Sequence, residues 1–296
     1  MVDILFAGTG SSIPSRERSL PCVALRTGRD VILFDCGEGS QRQIMISPFS
    51  FMRIKAIFIS HLHGDHLLGL PGLLQTMSMS GRKDDILLVG PAGFRDSVNC
   101  LTRACNGEID YKTDIIEAAD GDTFVFKDFV VRAFAVSHGI DALGFAFEEN
   151  ERRGRFDRAK AISLGLTPGP DFSRLQNGET VNNVRPGDVI GPPRRGRKIV
   201  YSGDTSKCHR LTEMAKGADV LIHEATYSFA DSELAREHMH STSHDAASAA
   251  RDADVSVLIV THMSNRYDDL GVIEKECRGI FPNTVLAKDM LMFTVK

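Results

Sequence analysis

Residues 60–70 read SHLHGDHLLGL, and within six positions they hold three imidazoles and a carboxylate: His61, His63, Asp65 and His66. This stretch limits what the chain can fold into more than any other. Ahead of it run Ile54, Ala56, Ile57, Phe58 and Ile59, an apolar segment of strand length. In layered α/β proteins, sites form where such a buried strand turns into a loop. His61 and His63 lie two apart, so an extended backbone points both rings to one side. Gly64 permits a tight turn, after which Asp65 and His66 start a helix that Leu67, Leu68, Leu70, Leu73 and Leu74 pack down. Imidazole with carboxylate suits zinc or manganese. Up to four ligands on both sides of one turn imply two ions rather than one. A lone histidine is more often structural or solvated, but three beside an aspartate at this spacing read as a metal site.

Composition bounds the setting. At 296 residues the chain can form one large domain or two small ones. Its 42% apolar and 25% charged residues are those of a soluble globular protein. Apolar runs fall short of the roughly 20 residues a membrane span needs. MVDILFAGTG opens on a strand pattern without a basic leader, so a cytoplasmic chain without a cleaved signal is expected. The six cysteines form no CxxC pair and read as reduced, mostly buried thiols, which argues against a cysteine-built structural zinc. A net charge of −4 argues against a general nucleic-acid surface, but residues 151–198 hold eleven Lys or Arg against five Asp or Glu. That segment is therefore +6 and the remainder −10, a pattern expected of one local anionic ligand.

Val2, Ile4 and Phe6 alternate as a first strand and lead into AGTGSSIPS. This Gly/Ser loop has neither the GKS of a P-loop nor GxGxxG spacing, so nucleotide binding is not expected there. Strand patterns follow at 22–26, 31–35, 54–59, 86–89, 114–117, 123–126, 130–136 and 144–147. A short helix is expected at 41–46, and another opened by Pro91 and running to about Cys105. From about 150 to 197 Gly, Pro, Arg and Asn dominate without an apolar period, and so long an irregular insertion in a compact domain tends to be functional or mobile. Strands resume at 199–202, 220–222 and 255–260, and an Ala-rich helix spans 243–252 behind a Ser/Thr cap.

Four strands outside the motif run into a ligand-type residue: His138, Asp204, His223 and His262. Each alone is explained at least as well by a capping aspartate or a histidine bonded to a loop. Beside the metal motif, a shared site is the simpler account. His138, Asp204 and His262 bring the candidate ligands to seven, which suits two ions about 3.5 Å apart with one shared carboxylate. Asp204 is the candidate bridge, because a carboxylate has two oxygens and an imidazole only one free lone pair.

HLHGDH, the later lone His138, GDT at Asp204 and the late His262 resemble the metallo-β-lactamase fold. FDCGEGSQRQ, SHLHGDHLLGLPGLL, GRFD with GLTPGP, GRKIVYSGDT, HEAT, HSTSHDAA, THMSNRY and the closing AKDM narrow the resemblance to tRNase Z (ribonuclease Z), the tRNA 3′-processing endonucleases. The blocks follow that family's order from Gly8 to Asp289. The resemblance implies an α/β protein, a four-layer αββα sandwich forming a single domain over 1–296, with a flexible arm (an exosite) inserted at about 150–197. It implies one zinc held by His61, His63, His138 and Asp204 and a second by Asp65, His66, Asp204 and His262, with manganese as the other suitable metal. It further implies a bridging water with Asp65 as general base, and a Glu224–His240 pair that protonates the leaving 3′ oxygen. Arg266 would contact a phosphate, and the arm around Gly169 and Pro170 would grip the elbow of a precursor tRNA, in a homodimer whose arms serve the partner's cleft. The products would be a 3′-hydroxyl tRNA and a 5′-phosphorylated trailer. In one place the chain departs: the family often has a Lys-rich run after its Gly-Pro, but here the run is DFSRLQNG, with Arg174 its one cation. Arg152, Arg153, Arg155, Arg158, Arg194, Arg195 and Arg197 at the arm's two ends remain to compensate.

The nearest rival is a small-molecule hydrolase of the same fold, such as a glyoxalase II-like thioesterase, which would share the seven ligands but need neither the basic insertion nor the Glu224–His240 pair. A β-lactamase lacks support without a leader or a cysteine ligand, and a β-CASP nuclease needs a cap domain larger than this chain can hold. A non-catalytic RNA-binding subunit would have no use for a base and a proton donor. Alternatively, Glu224 is a capping or surface carboxylate, His240 a helix-cap neighbour, and Arg266 the partner of a surface acid. His209, His238 and His244 read as structural or solvated.

Overall fold

Val2, Ile4 and Phe6 point one way along the first strand and Leu5 and Ala7 the other, and all five are buried. A strand covered on both faces reads as an unbroken apolar run, and that is the sequence character of most of the central strands here. In the computed structural model, which describes residues 1–105 and 108–296, the strands in chain order are β1 (Val2–Gly8), β2 (Cys22–Thr27), β3 (Asp30–Phe34), β4 (Ile54–Phe58), β5 (Ile86–Gly90), β6 (Thr113–Glu117), β7 (Thr123–Val125), β8 (Phe129–Ala135), β9 (Leu143–Glu149), β10 (Lys198–Tyr201), β11 (Val220–Glu224), β12 (Val257–Thr261), β13 (Thr284–Leu286) and β14 (Leu291–Val295). They form two seven-stranded sheets, ordered β14-β1-β2-β3-β4-β5-β6 and β13-β12-β11-β10-β9-β8-β7.

Between the sheets lies the central core, where Phe34 stacks on Phe145 at 5.6 Å and on Tyr201 at 5.4 Å between ring centres. Helices Ser40–Ile46, Leu70–Met79 and Phe94–Ala104 cover the outer face of the first sheet through Ile44, Leu73, Leu74, Met77, Phe94 and Val98. Helices His209–Ala215, Ser243–Asp252 and Gly271–Ile280 cover the second, where Ala246, Ala247 and Ala250 let the helix lie close. The layers are therefore helix, sheet, sheet, helix.

Several local expectations shift. The helix after Pro91 starts only at Phe94, because Pro91–Gly93 forms a turn in which Phe94 N–H donates to Pro91 O at 3.1 Å. The helix at the metal motif is two pieces, Gly64–Leu67 and Leu70–Met79, and Leu68 is exposed rather than packed. The break falls at Gly69, where a Cβ would stand 2.0 Å from Gly37 O. The insertion is not irregular throughout: it holds short helices Arg158–Ser163, Pro170–Gln176 and Pro186–Val189. Ala161, Leu166, Leu175, Val181, Val184 and Val189 give it a small core of its own. Helices of seven residues or fewer, joined by turns, leave no single apolar period to read.

Candidate metal centre

β3, β4, β10 and β12 end at one edge of the sandwich, and the polar residues that follow them meet there. Asp35 follows β3, His61 follows β4, Asp204 follows β10 and His262 follows β12, all of them buried. His138 arrives from the loop after β8. Among the described residues, eight that are not glycine have φ in the left-handed region, and four of them are at this edge: Ser12, Asp35, Met239 and His262. Strain of that kind persists where the surrounding structure fixes it, and it concentrates at functional sites.

The structure brings all seven predicted ligands together. His61 Nε2 lies 3.0 Å from His63 Nδ1, which lies 3.3 Å from His138 Nε2. On the other side, His66 Nε2 lies 3.3 Å from His262 Nε2, and Asp65 Oδ2 lies 3.5 and 3.6 Å from them. Asp204 Oδ2 stands between the groups, 3.2 Å from His262 Nε2, 3.3 Å from His66 Nε2 and 3.7 Å from His61 Nε2. His223 is buried on β11, bonded to the Glu224 carbonyl, and takes no part.

Whether a cation fits is decided by protons. Ser60 Oγ donates to Asp35 Oδ2 at 2.9 Å, so at 2.9 Å it accepts from His61 Nδ1–H. His66 Nδ1–H donates to Asp35 Oδ2 at 2.7 Å and His138 Nδ1–H to Met239 O at 3.0 Å. Thr226 Oγ1 donates to Glu224 Oε2 at 2.7 Å and so accepts from His262 Nδ1–H at 2.9 Å. With the hydrogen-bond network assigning the proton to Nδ1 in all four rings, their Nε2 lone pairs face one another, an arrangement that a cation between them stabilises. Atoms about 2.1 Å from a tetrahedral zinc stand about 3.4 Å apart, which is the spacing found here. Asp204 Oδ1 is buried with no hydrogen-bond partner, as an oxygen reserved for a metal would be. Glu224 is the opposite case. Its two oxygens accept from Thr205 N, His240 Nδ1, Thr226 N and Thr226 Oγ1 at 2.7–3.0 Å, so its acceptor sites are filled and it orients rather than ligates.

Charge follows the same division. Burial opposes ionisation of Asp65 and Asp204, yet both titrate below the usual carboxylate range because the His66 and His262 imidazoles hold them ionised. Burial also opposes a proton on His66, but Asp204 and Asp35 lift it well above the usual imidazole value. The two carboxylates thus demand positive charge at this point, supplied by protons or by a divalent ion that replaces them.

His240 bonds through Nδ1 to Glu224 Oε1 at 2.8 Å, which leaves Nε2 for the cleft. Burial disfavours its proton, but Glu224 outweighs that and raises it to about 9. The cleft is about 480 Å³ and is walled by Ser12, Ile13, Asp65, Tyr227, His240 and Arg266, among others. Arg266 lies 5.2 Å over the Tyr227 ring and 3.8 Å from Asp231, so it both faces the cleft and meets a surface acid. His238, expected to be structural or solvated, also lines the cleft. Gly169 and Pro170 lie within the inserted segment, at the start of the helix Pro170–Gln176. Gly169 takes φ 124 and ψ −124, and Pro170 starts the helix behind it. Among the described residues, none from 151–197 lines the cleft.

Sequence reasoning missed three supports. Asp35 accepts from His66, Ser60 and Tyr201 and so fixes two ligands. A charged residue closing the buried strand in DVILFD was the available signal. Thr226 links Glu224 to His262. Ser12, in the Gly/Ser loop where nucleotide binding is not expected, donates its backbone N–H to Asp65 Oδ2 at 2.8 Å. A backbone amide leaves no sequence signal.

Two facing sheets sheathed in helices, with this cluster at their edge, define a protein of the metallo-β-lactamase superfamily. The model of the "Beta-lactamase superfamily domain" matches residues 30–157 and 154–263. More narrowly, the chain belongs to the ribonuclease Z family. It is 43% identical to Ribonuclease Z of Methanosarcina acetivorans, over 98% of this chain and 97% of that one. It is 38% identical to Ribonuclease BN of Escherichia coli over 99% of this chain and 100% of that one. Among solved structures, the short form of human tRNase Z superposes with a TM-score of 0.74 at 30% identity, covering 99% of both chains.

Proposed function

We propose that this chain is an endoribonuclease that removes the 3′ trailer from precursor tRNA, leaving a 3′-hydroxyl tRNA and a 5′-phosphorylated trailer. The observation that carries the reading is a hydrolytic set complete within one cleft: seven converging ligands, Asp65 at their edge, and His240 held by a saturated Glu224. Family membership at about 40% identity over the full chain supports the substrate class.

The first ion would be held by His61, His63, His138 and Asp204, and the second by Asp65, His66, His262 and Asp204. Two zinc ions there would supply Lewis acidity to the phosphoryl oxygens and a nucleophile at neutral pH. Asp65, steadied by the Ser12 amide, accepts a proton from the attacking water. As the new P–O bond forms, the P–O3′ bond breaks, and His240 delivers its Nε2 proton to the departing oxygen. Glu224 keeps that imidazole charged and aimed. Such proton delivery is worth about 10²–10⁴-fold in rate. Arg266 contacts a phosphate at the rim.

Residues 150–197 act as an arm and exosite around Gly169 and Pro170. Because no arm residue lines the chain's own cleft, a homodimer in which one copy's arm holds RNA for the other's cleft fits best. Among the described residues, no helix is long and apolar enough to cross a membrane, and we place the enzyme in the cytoplasm with its substrate. The test is incubation with a 3′-extended precursor tRNA. A single cut next to the discriminator base is expected. Hydrolysis of thioesters without cutting of the RNA would favour the glyoxalase II-like alternative.

A further inference from the structure

The arm joins the body by a stem of two segments, and the stem carries an unusual charge pattern. Arg152 and Arg194 face each other across an antiparallel bridge, their backbones exchanging two hydrogen bonds of 2.8 Å. Like charges directly opposite across strands destabilise the pairing. With Arg153, Arg155, Phe156 and Ile190 they line a pocket of about 360 Å³. The stem's other two arginines have acids: Arg195 meets Asp219 at 2.9 Å and Arg197 meets Glu149 at 2.6 Å. Among the described residues, none of the four pocket arginines has a carboxylate within 4.0 Å. Their side-chain bonds go to backbone carbonyls: Arg152 to Arg195 O, Arg153 to Gln176 O and Arg194 to Arg153 O. Arg152 Nε is buried with no partner at all. The stem is also built to hold its shape. A Cβ on Gly154 would stand 1.8 Å from Gly191 O, so only glycine lets the two segments approach this closely.

Four arginines lining one pocket with Phe156 and Ile190, none with a carboxylate partner among the described residues, offer donors to an anion. Planar forks with spare donors match the oxygens of a phosphate. We propose that this stem pocket is a phosphate-binding site, separate from the metal cleft, and that its ligand is a backbone phosphate of the RNA substrate. The inference rests on the reading of the chain as an RNA-cleaving enzyme. It puts the arm's principal charge contact at the stem rather than beyond Gly169–Pro170, where Arg174 is already paired with Glu179 at 2.8 Å.

The test compares the full chain with R152Q/R194Q and with a charge-matched control, R210Q/R251Q, whose arginines pair with Asp120 and Asp252 elsewhere. For precursor tRNA, R152Q/R194Q should raise KM about tenfold, with the loss in KM rather than kcat. The slope of log KM against log salt should flatten by about one, as for one lost phosphate contact. R194K, which keeps the charge but not the fork, should recover the slope and only part of KM, and it guards against a misfolded double variant. The same KM in R152Q/R194Q and the control overturns the proposal. Titration with tripolyphosphate addresses the other source of such an anion. Binding that the double variant loses while its KM for RNA stays unaltered would assign the pocket to a free oligophosphate and overturn the RNA contact. If the unmodified chain cuts no precursor tRNA, the functional reading fails, and the tripolyphosphate titration still decides whether the pocket takes phosphate.

Discussion

The metal cleft and the arm are built by opposite rules. At the cleft nearly every polar atom has an assigned partner, and the side chains are locked by Asp35, Ser60, Thr226 and Glu224 in a rigid double sheet. The inserted segment closes on a core of six small or medium apolar residues and, among the described residues, leaves Arg152, Arg153, Arg155 and Arg194 without acids, while Arg195 and Arg197 have them. One region holds its side chains by hydrogen bonds of 2.7–2.9 Å. The other carries a net positive charge that, on the function proposed above, faces the RNA substrate.

Breaking the cleft should have the largest effects. Asp65→Ala removes both a ligand and the proton acceptor, and turnover on precursor tRNA should fall about 10⁴-fold, the upper end for general-base loss; near-normal turnover would remove Asp65 from the mechanism. His240→Ala should slow turnover about 10²–10³-fold while elemental analysis finds the metal content unchanged. Loss of metal in that variant would make His240 a ligand instead. Asp35→Ala leaves His66 Nδ1 and Tyr201 OH without their acceptor. Metal affinity should drop roughly 10–100-fold, as for other outer partners of ligating histidines, measured by competition with a chelating dye. The smallest global effect belongs to the arm: Leu175→Ala empties part of its core and should cost the arm about 2–5 kcal/mol. Hydrogen exchange should quicken within 156–190 and stay slow in β4 and β11; quickening throughout would join arm and body into one cooperative unit.

How much of this could be read from the sequence follows the same contrast. The convergence of the seven candidate ligands was legible because they close or follow apolar runs and carry side chains of unmistakable chemistry. The central strands were legible because both faces are buried. β13, β14 and the helices His209–Ala215 and Gly271–Ile280 were not anticipated, although Gly271–Ile280 turns one apolar face inward through Ile273 and Cys277 and β14 alternates along its length. Ser12 acts through its backbone, and Thr226 through a hydroxyl that could equally have capped a turn. The arm's fold was hidden because its core residues come from turns as well as from helices. Its charge was plain in the sequence, but that Arg152 and Arg194 oppose each other across a bridge, while Arg195 and Arg197 find acids, depends on register.

The division of labour between cleft and arm is tested most directly by excising 152–194, the stem arginines included, at the bridge where Arg152 N–H donates to Arg194 O at 2.8 Å. The quantity to measure is kcat/KM on precursor tRNA and on bis(p-nitrophenyl) phosphate, for intact and excised protein with equal metal content. The expected result is a loss of about 100-fold or more on the RNA with the small diester hydrolysed within about threefold of the intact rate, consistent with an arm that contributes a few phosphate contacts and no reacting group. Equal loss on both substrates would contradict it and make the arm part of the cleft's own architecture.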